Sequence, residues 1–130
     1  MRSLRVRTQR RTELVEITES VAQALSGTDT GEGACFVYCP HTTAGLLINE
    51  RADPAVARDI RGALDRLVPQ DGPWTHAEGN SPAHVKASLV GSSVLVPLVD
   101  GALQLGTWQG IFLAEFDGPR ERVIQLRILS

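Results

Sequence analysis

The sequence predicts an α+β fold in one domain, residues 1–130, with an antiparallel β-sheet or sandwich of about eight strands and two to three helices. The chain of 130 residues has the length of one ordinary domain and is long enough to bury a substantial core. Its 42% hydrophobic and 22% charged residues are typical of a globular protein. Most apolar segments alternate with polar residues between turn residues, which indicates strands, and only a few show helical spacing.

The first third of the chain predicts two strand pairs around a short helix. SLRVRTQ and TELVEIT predict the two strands of a hairpin. TESVAQALSG predicts a helix with Thr18 or Ser20 as its N-cap and Gly27 at its end, because Ser20 and Gln23 have the spacing of a capping box. GACFVYCPH and AGLLINE then predict two strands on either side of the polar turn PHTTAG.

The clearest helix is predicted in DPAVARDIRGALDRLVP. Asp53 is a favourable N-cap, Pro54 fits the first turn, and Pro69 ends the helix. The apolar residues recur at helical spacing and form one stripe: Val56, Ile60, Ala63, Leu64 and Leu67.

A second helix is predicted in NSPAHVKASLVG. Asn80 or Ser81 is its N-cap, Pro82 lies in its first turn, and Gly91 ends it. The remaining segments, SVLVPLV, ALQL, WQGIFLAEF and ERVIQLRI, predict strands separated by the turns DG and DGP.

Charge and composition argue against several classes of partner. The net charge is −2, and apart from the arginine-rich segment RSLRVRTQRR the two signs are mixed, so no nucleic-acid partner is expected. No apolar run approaches the roughly 20 residues that cross a bilayer, and the N-terminal segment lacks the apolar stretch of a signal peptide. We therefore expect a cytoplasmic protein without a membrane partner.

The two cysteines are predicted to be free thiols. Cys35 and Cys39 lie in one predicted strand, which places their α-carbons roughly 13 Å apart, too far for a disulfide.

The first group of polar residues lies around the turn PHTTAG. His41, Thr42 and Thr43 follow a strand, and Asn49 and Glu50 lie at the far end of the next strand. Hydroxyl groups and the free amides of a turn can bind an anion, and strand alternation places His41 on the face that the cysteines share. The alternative is a capped turn with a surface histidine.

The second group lies in THAEGNSPAHVKAS. His76 and Glu78 are two residues apart in an extended segment, so both side chains point the same way. His84 lies in the first turn of the predicted helix, where the dipole favours the neutral imidazole that ligates metals. Ser88 follows on the same face, and Lys86 projects near enough to the helix start to assist an anion at the exposed amides. The alternative is a capped helix with a solvated polar face, since the His-x7-His spacing is a weak metal signature.

The third group lies in GTWQGIFLAEFDGPR. Glycines on either side of Trp108 indicate close backbone approach and predict a pocket wall, with a core or interface anchor as the alternative. Glu115 and Asp117 share one strand face, and Arg120 either pairs with them or binds a phosphate.

These blocks resemble a known family. HTTAGLLINERADP, HAEGNSPAHVKASLVG and GALQLGTWQGIFLAEFDGPRERVI are similar, in order, to the successive blocks of the YjbQ family, whose members are often called secondary thiamine-phosphate synthases. The resemblance covers nearly the whole chain and includes specific runs such as LGTWQGIF and EFDGPR. It implies a compact α+β domain that assembles as a homotrimer and joins a pyrimidine diphosphate weakly to a thiazole phosphate, with release of pyrophosphate. Trp74 departs from the family pattern, in which a tyrosine is expected.

The residues and the resemblance together yield a set of expected roles. We hypothesise that three histidines converge on one divalent metal, zinc or magnesium: His41, His76 and His84. Catalytic roles are expected for His84, Lys86, Glu78 and Glu50. Binding of a small phosphorylated metabolite is expected at Thr42, Thr43, Asn49, Asn80, Ser88 and Arg120. The alternative function is a non-catalytic module that binds a metabolite or a metal.

Overall fold

The computed structural model describes residues 2–27 and 31–130. Its helices and strands confirm the predicted α+β fold with antiparallel sheets. In chain order the elements are β1 (Arg2–Arg7), β2 (Glu13–Glu16), α1 (Thr18–Leu25), β3 (Glu32–Tyr38), β4 (Ala44–Glu50), α2 (Pro54–Leu67), α3 (Ser81–Val90), β5 (Ser93–Val99), β6 (Ala102–Leu103), β7 (Gln109–Glu115) and β8 (Glu121–Leu129). Within the described ranges, no helix is long and apolar enough to span a membrane.

The strands form two antiparallel sheets, one in the order β1-β8-β3-β5-β6 and one in the order β2-β7-β4. The predicted hairpin of the first two strands is wrong, because β1 pairs with β8 and β2 pairs with β7. The connection between them has no glycine, and the hydroxyl group of buried Thr8 donates a hydrogen bond to Glu115 Oε1 at 2.8 Å. This contact holds the chain where it leaves one sheet for the other. The strands β3 and β4 also lie in different sheets.

The main core lies on the inner faces of these strands. Alternate residues of β3, Cys35 and Val37, are fully buried beside Val96 of β5 and Leu126 of β8. Both cysteines are free, as predicted, and burial raises the pKa of each thiol. Buried, protonated thiols behave as small apolar side chains.

The helix α1 is capped differently from the prediction. Ile17 occupies the N-cap position without a side-chain hydrogen bond, so the predicted caps Thr18 and Ser20 are wrong. Thr18 is buried, and its hydroxyl accepts a hydrogen bond from the Ile111 amide at 2.9 Å. A tertiary contact to β7 therefore uses the side chain that the local pattern assigned to the cap.

The helix α2 begins as predicted, with Asp53 accepting a hydrogen bond from the Ala55 amide at 2.9 Å. None of its residues is fully buried, and Leu67 of the predicted apolar stripe is 72% exposed. Leu64 packs against a second, smaller apolar cluster that includes Phe116.

The helix α3 begins at Ser81 and ends before Gly91, whose φ of 100° favours glycine. Asn80 takes the N-cap position, but its side chain makes no capping hydrogen bond.

A buried ion pair joins the two sheets. Glu115 at the end of β7 is fully buried, and Arg122 in β8 is 2% exposed. Arg122 Nε donates a hydrogen bond to Glu115 Oε1 at 2.8 Å, and Arg122 Nη2 donates to Glu115 Oε2 and, at 2.9 Å, to Thr43 Oγ1. Burial alone would raise the pKa of Glu115, but hydrogen bonds from Arg122, the Asp117 amide and Thr8 hold that pKa below the ordinary value of a glutamate.

Replacing Glu115 with glutamine should destabilise the fold strongly. We expect Glu115→Gln to lower the free energy of unfolding by about 3–5 kcal/mol at neutral pH, because Arg122 keeps a buried charge without a counter-ion. The difference from wild type should shrink in acid, as the pH falls through the lowered pKa of Glu115 and the wild-type carboxyl group also becomes neutral. Urea unfolding measures both quantities.

The matched control is Glu121→Gln. Glu121 pairs with Arg5 at 3.4 Å on the surface, so its replacement should cost less than about 1 kcal/mol. Equal losses in the two variants would contradict the special role of the buried pair.

Candidate functional site

His84 of α3 borders two open cavities. The first, about 370 Å³ in volume, is here called the polar pocket, and its lining includes His41, Thr42, His84, Ser88 and Ser92. The second, about 330 Å³, is called the tryptophan pocket, and its lining includes Trp74, Thr75, His76, Ser81 and His84. Both volumes fall in the range of small-molecule sites. The two pockets that share His84 are called the His84 cleft.

His41 lies where the chain leaves the five-stranded sheet after β3. Its Nε2 atom is 3.1 Å from both the main-chain nitrogen and the main-chain oxygen of Val123 in β8. Burial, and then the positive charge of Arg122, lower the pKa of His41 from its ordinary value. Both effects favour the neutral ring over the charged one.

His76 and His84, two of the three histidines that were expected to converge, lie close together. Their ring centroids are 5.3 Å apart in an edge-to-face arrangement, and His76 Nε2 is 3.5 Å from Glu78 Oε2. The main chain turns between them at Gly79, whose φ is 76°. The Ser88 hydroxyl donates a hydrogen bond to the main-chain oxygen of His84 at 2.9 Å, which places both residues on one face of α3.

The described residues supply only part of a metal site. In residues 2–27 and 31–130, no three His, Cys, Asp or Glu side chains lie close enough together to hold a metal ion. His84 borders one pocket with His41 and the other with His76. The convergence of all three histidines on one metal therefore stays a prediction.

Lys86 is placed away from the cleft. Its side chain is only 8% exposed, and its Nζ atom donates a hydrogen bond to Asp65 of α2. The same atom lies 5.8 Å from the centroid of the Phe116 ring. The amine that the sequence places beside an anion thus contacts Asp65 of α2 and Phe116, the residue that follows β7.

Asn80 and Arg120 also contact protein carboxylates. Asn80 Nδ2 donates a hydrogen bond to Asp117 Oδ2 at 3.0 Å, and Arg120 Nη2 donates to the same oxygen at 3.2 Å. These bonds connect the start of α3 to the turn between β7 and β8. Arg120 follows the structural alternative, pairing with Asp117.

Asn49 and Glu50 lie at the opposite end of β4 from Ala44, which lines the polar pocket. Glu50 lies six positions after Ala44 along the strand, a distance of roughly 20 Å. Glu50 Oε2 accepts a hydrogen bond from the Asp53 amide at 3.1 Å, and Asn49 Oδ1 accepts one from the Glu50 amide at 2.7 Å. The structure therefore does not bring this pair to the His84 cleft.

Trp108 lies beside the same end of β4, far from the His84 cleft. It is 63% exposed, and its main-chain oxygen accepts a hydrogen bond from the Arg51 amide at 2.8 Å. It lines neither pocket of the cleft.

The sequence interpretation missed Arg122 and Thr8. Each continues the inward-facing alternation of its strand, since Arg122 precedes Ile124 by two residues and Thr8 follows Val6 by two. A polar residue at an inward-facing position of an apolar strand is the signal that would have identified them.

Comparisons with known proteins show which family the chain resembles along its length. A family profile described as "UPF0047 protein YjbQ-like" matches residues 2–130. The chain is 50% identical over 125 residues to UPF0047 protein MJ1081 of Methanocaldococcus jannaschii, covering 96% of this chain and 91% of that protein. It is 44% identical over 131 residues to UPF0047 protein YugU of Bacillus subtilis, covering 100% and 99%. Its fold matches the crystal structure of an uncharacterised conserved YjbQ/UPF0047 family protein from Clostridium acetobutylicum with a TM-score of 0.96 and 46% identity, covering 99% and 100%.

Proposed function

Since this chain belongs to the UPF0047 family of YjbQ-like proteins, we propose that it binds small phosphorylated metabolites in the His84 cleft and has weak thiamine-phosphate synthase activity. In that reaction the thiazole nitrogen displaces pyrophosphate from the methylene carbon of the pyrimidine diphosphate. The observation that carries the proposal is that His84 borders a pocket rich in hydroxyl groups and a pocket with an aromatic wall.

The polar pocket suits a phosphate group. Thr42 and Ser92 bring hydroxyl groups to its lining, and His41 and His84 bring imidazoles. Hydrogen-bond donors placed around a leaving pyrophosphate stabilise its developing charge. The imidazole of His84 can in addition give a proton to a phosphate oxygen.

The tryptophan pocket suits a flat ring. Trp74 Nε1 donates a hydrogen bond to the Gln70 main-chain oxygen at 3.0 Å. The indole also lies so close to Gly72 that a Cβ atom there would be 2.6 Å from the ring. These two contacts hold the indole in place, and a fixed aromatic wall favours stacking with a heteroaromatic ligand.

A non-catalytic module that binds a metabolite or a metal is the second candidate. It is favoured by the contacts of Lys86, Arg120 and Glu50, which were expected to neutralise the leaving group or move a proton. Each of these side chains instead bonds a protein group away from the cleft or at its edge. Because these side chains bond protein groups, they do not neutralise the leaving group, and this agrees with weak rather than efficient turnover.

The synthase reaction tests the two candidates against each other. The purified protein is mixed with the pyrimidine diphosphate and the thiazole phosphate, and thiamine phosphate is measured. We expect slow product formation that falls roughly 100-fold in His84→Ala, whereas Lys86→Met keeps the wild-type rate because its amine faces Asp65. Leu89→Ala is the control, since Leu89 is exposed on the same helix outside both pockets.

If the wild-type protein forms no product but either substrate raises its melting temperature, the protein is a binding module and not a synthase. If the protein forms no product and neither substrate raises its melting temperature, both proposed functions are contradicted.

We also propose that a divalent metal, zinc or magnesium, binds at His76 and His84 together with phosphate oxygens of the ligand. Such an ion would neutralise charge on the pyrophosphate group. Mass spectrometry of the protein purified in the presence of inorganic phosphate should find a stoichiometric divalent metal in wild type and its loss in both His76→Ala and His84→Ala. A wild-type protein without metal, or an unchanged metal content in both variants, would exclude this site.

Self-association as a homotrimer is part of the proposal. The outer face of the five-stranded sheet exposes an apolar patch that includes Tyr38, Leu95, Val99 and Leu129. Patches of this kind are common at protein interfaces. Light scattering should give the mass of three chains for wild type and a smaller mass for Leu95→Asp, whereas Leu89→Asp on α3 should stay trimeric. A wild-type monomer at all concentrations would overturn the trimer.

A further inference from the structure

His41 meets β8 at the point where β3 stops pairing with it. The register of the two strands pairs Tyr38 with Gln125, and the same register two residues further would pair Pro40 with Val123. Proline has no N–H group, so it cannot continue the ladder. The imidazole of His41 meets the main chain of Val123 instead, with Nε2 at 3.1 Å from its nitrogen and its oxygen.

The amide and the carbonyl group of Val123 decide which ring nitrogen of neutral His41 carries the proton. A single ring nitrogen either accepts or donates, so Nε2 satisfies only one of the two Val123 groups. An unpaired amide N–H is rarer in the interior of proteins than a carbonyl oxygen with a free lone pair. This difference favours Nε2 as the acceptor for the Val123 amide, which leaves the ring proton on Nδ1.

We propose that His41 presents a protonated Nδ1 to the polar pocket and donates a hydrogen bond to a phosphate oxygen of the ligand. A protonated nitrogen has no free lone pair for a metal, so His41 acts as an anion-binding residue and not as a metal ligand. This role rests on the phosphate site of the proposed function.

Arg122 acts as the positioning residue for this contact. It directly precedes Val123, and its guanidinium group donates hydrogen bonds to both Oγ1 and the main-chain oxygen of Thr43, at 2.9 and 3.3 Å. The two segments that meet at the His41 ring are thus tied together by one side chain. Glu115, in turn, fixes the direction of that guanidinium group.

The tautomer can be measured without any ligand. Two-bond ¹H–¹⁵N correlation spectra of the labelled protein distinguish a protonated from an unprotonated ring nitrogen. The His41 signals are those that persist when His76 and His84 are replaced by alanine. We expect Nδ1 to be protonated and Nε2 to be an acceptor, and the opposite tautomer would overturn the proposal.

Two amide substitutions test the donor role. In His41→Asn the amide nitrogen lies near the position of Nδ1, whereas in His41→Gln the amide lies near that of Nε2. With inorganic phosphate as the probe, we expect binding to weaken roughly tenfold or more in His41→Gln, the loss of one hydrogen bond to a charged group, and clearly less in His41→Asn. Equal weakening, or the reverse order, would contradict the donor role.

These results separate the new inference from the function on which it rests. If wild type does not bind phosphate, the phosphate site and the donor role both fail, and the spectra still decide which ring nitrogen carries the proton. If phosphate binds equally well to wild type and both variants, the site stands and the role of His41 in it is wrong.

The role of Arg122 is tested through its acceptor. Thr43→Val removes the hydroxyl group that Arg122 contacts. We expect both tautomers of His41 to be populated in Thr43→Val and a single tautomer to be populated in Thr43→Ser, which keeps a hydroxyl group. Thr107→Val is the control, because Thr107 is exposed and outside the His84 cleft. If Thr43→Val only lowers the melting temperature and leaves the spectrum unchanged, Arg122 is structural and does not position His41.

Discussion

The ion pair between Glu115 and Arg122 is the interaction on which the rest of the structure depends. It joins β7 of one sheet to β8 of the other, and it also bonds Thr8 and Thr43, which lie where the chain crosses between the sheets. Burying two charges costs several kcal/mol for each ion, about as much as good pairing and extra hydrogen bonds return. The pair therefore contributes geometry more than stability, because only one arrangement satisfies all its members.

Local signals in the sequence were sufficient for much of the fold. The start of α2 at Asp53 and Pro54 and the free thiol of Cys35 follow from residues close together in the chain. The pairing of the first two strands does not, because β1 and β2 contact strands near the other end of the chain. A short connection between two strands is a local signal for a hairpin, but the pairing is set by distant strands, and the hydroxyl group of Thr8 bonds Glu115 of β7 where the chain crosses from one sheet to the other.

In the candidate site, too, contacts between neighbouring residues could be predicted from the sequence and contacts between distant residues could not. The proximity of His76 and His84 could be predicted, because an extended segment, a glycine turn and a helix start fix it locally. The role of Lys86 could not, since its partner Asp65 belongs to another helix. A basic side chain pairs equally well with a ligand phosphate or with a protein carboxylate, and only tertiary structure decides which is near.

These contacts determine what kind of ligand chemistry the cleft can support. The cationic groups Lys86, Arg120 and Arg122 are each paired with a carboxylate, so the described lining of the polar pocket offers hydroxyl groups and imidazoles instead. A neutral hydrogen-bond donor contributes less binding energy to a phosphate than a lysine or arginine side chain in contact with that phosphate would. In the proposed site, a divalent cation bound at His76 and His84 would strengthen the binding of a phosphate in this pocket. The phosphate and metal proposals are thus linked by charge balance, with His41 contacting the anion and the other two histidines contacting the metal.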